Sequence, residues 1–535
     1  MPKAKTIDSL EKLIHSEELY ALIDVRERPE YNRQQIFGAT NIPRRLLEFK
    51  ISNLVPVKNI EVVLYDYCCE RSLLAAKTLE KLGYTKVSYL EGGLKAWKDK
   101  GNIVVSGVNV PSKILGELVA EKKKVPMITP DVLKSWLDNK KDVAVFEVRP
   151  PEEVSHSGSV PSACNIPGVE LPLKVFDYME KGKTIVNTCA GRTRSIIATQ
   201  TLKMMGIDNV YDLKNGTMGW VLAGYELEKS VPQGHQTSVK SRLMAEEFAS
   251  RLIKDHGIKV ISINELQNLI SKSDQQVLYL FDVRSKEEYL AGHIPGTVWI
   301  PGGQAIQCMD DNVAVRQGSI VFVCDSLARS AITAFWYSQM GFANVFVLNG
   351  GTKAWQGSGL ELEYGPPPDL PLGYQEARKA ANFISAVKLK EKINSGLEVV
   401  IINVDESQQF IQGHLPGSIL ISRSWLEIRI ETAVNDKNAQ IILTCHEGIH
   451  STFASASIAE MGYTNVRVLD GGIKSWSEKG FEPEDGEAGI KEKPDDYLKR
   501  SHERSREEML QYLSWEEELA ERHECMRYFK GFLGS

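Results

Sequence analysis

"KTIVNTCAGRTRSIIATQTLKMMG", residues 183–206, passes from a short apolar run through a cysteine, a glycine and two arginines into a segment with helical spacing. A brief apolar run bounded by turn residues predicts a buried strand, and the longer periodic segment after it predicts a helix. The stretch Cys189–Ser195 is then the turn between the two.

Three relatives of this turn occur elsewhere. "DYCCERS" (66–72), "CDSLARS" (324–330) and "CHEGIHS" (445–451) each follow an apolar run, as "CAGRTRS" (189–195) does. Downstream of each lies "LEGGLKAW" (90–97), "LKNGTMGW" (213–220), "LNGGTKAW" (348–355) or "LDGGIKSW" (469–476). The first loop residue and the closing tryptophan are 31 positions apart in all four copies. Upstream, "IDVRERPEY", "FEVRPPEEV", "FDVRSKEEY" and "INVDESQQF" open the units, and "NIP", "NIP", "WIP" and "LIS" follow. The chain is therefore read first as a repeat.

Each unit reads as strand, glycine turn, strand, helix, strand, helix. Near-continuous Val, Ile and Leu runs alternating with helical patterns predict a parallel sheet buried on both faces, an α/β fold, with functional loops at the carboxyl ends of its strands. The four domains are placed at 1–106, 125–230, 258–365 and 380–484, with a C-terminal helical extension at 487–535. A bridging helix is expected within 231–257, and GPPPDLPLGY (365–374) reads as a stiff extended linker.

A chain of 535 residues exceeds one hydrophobic core. With 42% hydrophobic and 25% charged residues and a net charge of −6, it shows neither the composition of a disordered protein nor a nucleic-acid footprint. The N-terminal stretch lacks the apolar core of a signal peptide, and no run is long enough for a membrane span, so neither membrane nor nucleic acid is expected as a partner and the expected location is the cytoplasm. Eight cysteines without a C-x-x-C pair suggest reduced thiols and no metal site.

The linked motifs D-V-R, G-H-I-P-G (292–296), C-x4-R-S and L-x-G-G-x-x-A-W resemble the rhodanese sulfurtransferase domain, and four tandem copies reach to about residue 484. The resemblance implies a thiosulfate sulfurtransferase that transfers sulfane sulfur through a cysteine persulfide. Its partners are then a small-molecule donor and an acceptor such as cyanide or a thiol, with no metal or organic cofactor.

The second copy carries the residues this chemistry needs. A nucleophilic cysteine must be a thiolate, and lowering its pKa by two units takes about 2.7 kcal/mol of preferential anion stabilisation. A curled strand-to-helix turn supplies inward-pointing amides and the positive end of a helix. Cys189 is thus the expected persulfide carrier, cradled by Ala190, Gly191, Arg192, Thr193, Arg194 and Ser195. Gly191 is expected to take a positive φ, Ser195 to cap the helix, Arg192 to orient the sulfonate end, and Arg194 to share that role or brace the loop.

The other copies depart from this set. Asp66 replaces the cysteine in copy one and cannot store sulfur; Cys68 and Cys69 read as small loop residues. Copy three keeps Cys324 and Arg329, but Asp325 opposes both a thiolate and a dianion. Copy four keeps Cys445 with His450 at the arginine position. Cys324 and Cys445 are therefore secondary candidates. Arg149, Arg284 and His293 read as braces, the four motif tryptophans as core, and Cys164, Cys308 and Cys525 as lying in no loop of the right kind; His523 with Cys525 makes no metal site.

Three other functions share this pattern. A 3-mercaptopyruvate sulfurtransferase would carry a less charged loop, of the C-G-[ST]-G type. A noncatalytic regulatory module fits copy one. A related phosphatase loop would have five residues rather than four between cysteine and arginine.

Overall fold

The computed structural model describes residues 2–179, 182–234, 237–367, 370–499 and 503–522. It contains four five-stranded parallel sheets with one shared topology. Numbering the strands of each sheet in chain order, their spatial order is 1-5-4-2-3 every time. In the second copy these are Met127–Ile128, Val143–Glu147, Ala163–Asn165, Thr184–Thr188 and Val210–Leu213. The fourth strand, which leads into the cysteine turn, is the central one and is buried along its whole length. Helices cover both faces, which explains the unbroken apolar runs.

Trp97, Trp220 and Trp476 are buried completely or nearly so, and Trp355 is only slightly more exposed. Each indole N–H donates to a backbone carbonyl six residues on, as Trp220 does to Glu226 O at 3.0 Å, so each ring both fills the core and ties down the end of its unit.

The chain divides into two compact units, one holding copies one and four, the other copies two and three. Within each unit the copies meet through the loops that follow their third strands. In the first unit these are the segments after "NIP" (41–43) and "LIS" (420–422). Arg423 makes a bidentate pair with Glu48 at 2.6 and 2.9 Å, and Arg44 donates to Glu427 at 2.5 Å and to Arg423 O at 3.2 Å, all four side chains being buried. In the second unit the corresponding segments approach through glycine: a Cβ on Gly302 would press on Thr333 Oγ1 and Val169 Cγ1, at 2.7 and 3.0 Å.

The bridging helix is Val239–His256, N-capped by Ser238 and ended by Gly257 at φ 63. Its Ala245 and Ala249 pack on Ala328 and Ala331 of copy three and on Leu173 of copy two. Two expectations need correction. The 365–374 segment is not extended throughout, because Gly373 (φ 82) caps a helix at Tyr374–Ala380; Pro368 and Asp369 lie outside the described residues. The C-terminal extension is irregular through Lys499, where Pro494 disfavours a helix and Asp495 and Asp496 bond Trp425 Nε1 and Ser407 of copy four. Its helix is Arg506–Glu518, opened by a Ser505–Glu508 capping box, and His523 and Cys525 lie outside the described residues. The remaining difference is an unforeseen helix, Val110–Lys123, buried over its first ten residues. Among the described residues no helix is long and apolar enough to cross a membrane.

Removing one partner of a buried ion pair strands the other, at about 3–5 kcal/mol. Glu48→Ala is therefore expected to lower one calorimetric unfolding transition by several degrees and leave the other in place. An unchanged thermogram would show that the Arg423 pair does not hold the first unit together.

Candidate functional site

The turn after each central strand is fixed by the second glycine turn of its own copy. Cys189 O accepts from Thr217 N at 2.8 Å, and the same bond recurs as Leu94 N to Asp66 O (2.8 Å), Thr352 N to Cys324 O (2.9 Å) and Ile473 N to Cys445 O (3.0 Å). The glycine just before each donor, Gly216 in copy two, has φ between 54 and 63, and a Cβ there would collide with the carbonyl of the loop's first residue. Only glycine combines that backbone with that approach.

In copy two the turn feeds the helix Thr193–Met204. Cys189 is 2% exposed, and Ser195 Oγ lies 3.3 Å from its sulfur. Burial pushes the Cys189 thiol above its ordinary value, while Arg194 and the Ser195 hydroxyl pull it back and Asp212 and Glu147 push it further up. Cys189 lines a cavity of about 210 Å³ together with Lys113, Arg192, Arg194, Arg504, Tyr512 and Glu516.

Both arginines are committed to carboxylates. Arg194 holds Glu153 at 2.6 and 3.0 Å; burial alone would raise Glu153, yet the guanidinium brings it to about 2. Arg192 grips Glu117 of the Val110–Lys123 helix at 2.6 and 2.7 Å, and reaches Glu517 at 2.8 Å and Asn215 Oδ1 at 2.9 Å. Thr193 Oγ1 donates to Glu516 at 2.8 Å, and Lys113 donates to both Glu516 and Tyr512. Ala190 and Met218 pack on Met509 and Leu513. The terminal helix therefore forms a wall of the Cys189 site.

Several sequence expectations are corrected here. Gly191 does not have positive φ; a Cβ there would come tight against Glu516 Oε2 and Met218 Cε, at 3.1 and 3.2 Å, so those side chains would have to give way. Ser195 is not the cap, since the helix begins two residues earlier; its hydroxyl donates to Arg192 O at 3.0 Å and faces the cysteine. Arg192, expected to orient a sulfonate, lines the cavity but is paired with Glu117, and Arg194 makes the internal ion pair weighed for it, with Glu153. Arg149 and Arg284 brace their own loops through Glu147 and Asp282, and His293 bonds Tyr289 O. Missed altogether were Lys113, Glu117 and Glu516; Cys308, set aside in the sequence as lying in no loop of the right kind, lines the cavity with Cys189. A carboxylate inside the apolar stretch "ILGELV" (114–119) was the one available signal for Glu117.

The other loops differ in kind. In copy one, Asp66 fills its own cradle, accepting from Cys69 N at 2.5 Å, Arg71 N at 2.8 Å and Ser72 Oγ at 3.1 Å. In copy three, Asp325 is neutralised by Arg329, Arg242 and Lys353. Burial pushes Cys324 up, Arg329 opposes this and Asp325 adds to it. In copy four, Gly448 N and Ser451 N donate to Cys445 Sγ at 3.1 and 3.4 Å, yet burial and then Asp405 push that thiol up to about 12. His450 is held near 3 by burial and by Arg423, and so is neutral.

A family model described as the Rhodanese-like domain matches residues 6–100, 129–223, 262–358 and 385–479. The crystal structure of a thiosulfate sulfurtransferase from Pseudomonas aeruginosa is similar over 100% of this chain and 99% of that one, at 31% identity and a TM-score of 0.90. A 3-mercaptopyruvate sulfurtransferase of Escherichia coli (strain K12) is 27% identical, over 36% of this chain and 82% of the relative. A thiosulfate/3-mercaptopyruvate sulfurtransferase of Arabidopsis thaliana is 21% identical, over 41% of this chain and 84% of the relative.

A thiol with a raised pKa gains nucleophile as pH rises. Alkylation of Cys189 by iodoacetamide is expected to climb through and beyond pH 9, and Arg194→Ala to displace that profile to still higher pH by removing the opposing charge. A profile that Arg194→Ala leaves in place would show that the guanidinium does not act on the sulfur.

Proposed function

Since the chain belongs to the rhodanese-like family, with four copies of its domain along most of the length, we propose that it is a sulfurtransferase that passes sulfane sulfur from thiosulfate to a thiophilic acceptor through Cys189. The observation that carries this reading is the Cys189 cavity, where a thiol at the end of the central strand meets Arg194, Lys113 and Arg504.

The chemistry is a double displacement. The Cys189 thiolate attacks the outer sulfur of thiosulfate; the S–S bond of the donor breaks and its electron pair leaves with sulfite. Cyanide or a thiol then attacks the outer sulfur of the persulfide and returns Cys189 as thiolate. Arg194 does two things here. It favours the anionic sulfur, and through Glu153 it is held rigid, so no reorganisation is required as charge shifts. The persulfide, like the thiolate, lies in a buried site that limits hydrolysis and side reactions. Asp66 makes copy one noncatalytic in this scheme, and a regulatory or structural role is left to it.

Thiosulfate is favoured as donor by the end-to-end likeness to the Pseudomonas enzyme and by the cationic cavity wall. The names of the Escherichia coli and Arabidopsis relatives support 3-mercaptopyruvate as the second reading. Comparing kcat/KM for the two donors decides between them.

With thiosulfate and cyanide, Cys189→Ser is expected to abolish most thiocyanate production, while Cys324→Ser and Cys445→Ser retain most of it. Loss in Cys324→Ser with retention in Cys189→Ser would move the active centre to copy three.

A further inference from the structure

Cys189 is 2% exposed, so a sulfur atom loaded onto it lies away from bulk solvent and from any bulky acceptor. The cavity it borders has a second thiol in its wall, Cys308 of copy three, which is only partly buried. We infer that Cys308 is the first acceptor of the sulfur carried by Cys189 and delivers it to the surface.

The spacing of the two thiols is set by one element. The helix Val110–Lys123 holds the Cys189 loop through Glu117 and Arg192. Just before and within the same helix, Asn109 Nδ2 donates to Asp310 Oδ1 at 3.0 Å and Ser112 Oγ donates to Gln307 O at 2.7 Å, which pins both sides of Cys308. Cys308 joins two short helices, Gly302–Gln307 and Met309–Asn312, so its backbone is fixed as well. The cavity that the two cysteines share is lined largely by polar and charged residues. Gln304, Gln307 and Glu516 line this cavity, and Gln304 Oε1, Gln307 Oε1 and Glu516 Oε2 are buried with no hydrogen-bond partner among the described residues. Glu516 itself is fully buried. Such acceptors are costly unless a hydrogen-bond donor such as water reaches them. Lys113, Arg194 and Arg504 stand in the same wall; burial pushes the Cys189 thiol up and Arg194 opposes that rise.

The transfer balances without an oxidant. Cys308, its proton given to water, attacks the outer sulfur of the Cys189 persulfide; that S–S bond breaks and its electron pair remains on Cys189 as thiolate. A new S–S bond leaves the persulfide on Cys308, where a thiol from solution removes the sulfur in the same manner.

This step rests on the persulfide reading of Cys189, and the test separates the two. Full-length protein is exposed to thiosulfate, alkylated, digested and mapped by mass spectrometry for the gain of one sulfur atom. Wild type is expected to carry the gain on the peptides of both Cys189 and Cys308, Cys308→Ala on Cys189 alone, and Cys189→Ser on neither. Diamide treatment of wild type, which needs no variant, is expected to give a Cys189–Cys308 disulfide. A gain on Cys189 with none on Cys308 and no disulfide overturns the relay and leaves the persulfide reading standing. A gain on Cys308 that persists in Cys189→Ser also overturns the relay. No gain on Cys189 in any protein overturns both.

Discussion

The carbonyl of the residue that opens each loop is clasped by the amide that follows a left-handed glycine 27 positions later, at 2.8 Å in copy two, where Thr217 N donates to Cys189 O. Everything functional depends on this clasp. It closes the loop at the carboxyl end of the central strand, forbids a side chain at the glycine, and sets the distance to the tryptophan that anchors the unit. An insertion between loop and tryptophan would break the hydrogen bond and the core contact together, so the spacing is the same in all four copies. The identity of the loop's first side chain is not fixed by this clasp. The same frame holds Asp66, Cys189, Cys324 or Cys445.

That freedom separates the copies chemically. Amides and a hydroxyl that could hold anionic sulfur hold the Asp66 carboxylate in copy one, so that cradle is already occupied by a covalently attached anion. In copy four two amides reach Cys445, yet the buried Asp405 and a neutral His450 leave its thiol protonated across the ordinary pH range. Copies one, two and three share an arginine paired to a carboxylate, Arg71–Glu30, Arg194–Glu153 and Arg329–Glu288, and of these copy two alone combines it with a cysteine at the loop's first position and no acidic residue beside that cysteine. Glu153 pairs with Arg194, and Arg194 still opposes the rise that burial imposes on the Cys189 thiol. A buried ion pair contributes little net stability; here it fixes an orientation.

Both units join two copies through equivalent loops. Arginine–carboxylate pairs join copies one and four, and copies two and three meet through the Arg329–Glu170 pair at 2.7 Å together with close packing at Gly302. In the second unit the close approach brings Cys308 to the cavity of Cys189 and gives the bridging helix an alanine-lined seat. The terminal helix then places Glu516, Glu517 and Tyr512 against the Cys189 loop, so a segment more than 300 residues away in the chain completes this wall of the site.

Four repeats, the parallel sheet and the position of Cys189 at the end of a buried strand were legible in the sequence, because apolar periodicity and turn chemistry are local and recur at fixed spacing. The glycine before Thr217 was legible as a motif residue, and its reason was not, since the collision it avoids is with a strand end 27 positions away. What Arg192 and Arg194 bind, why Gly191 is glycine, and which copies pair were decided only by tertiary structure. Charges and thiols have no preferred partner along the chain; they are paired by whichever surfaces hydrophobic burial brings together, and that choice is made between segments far apart in sequence.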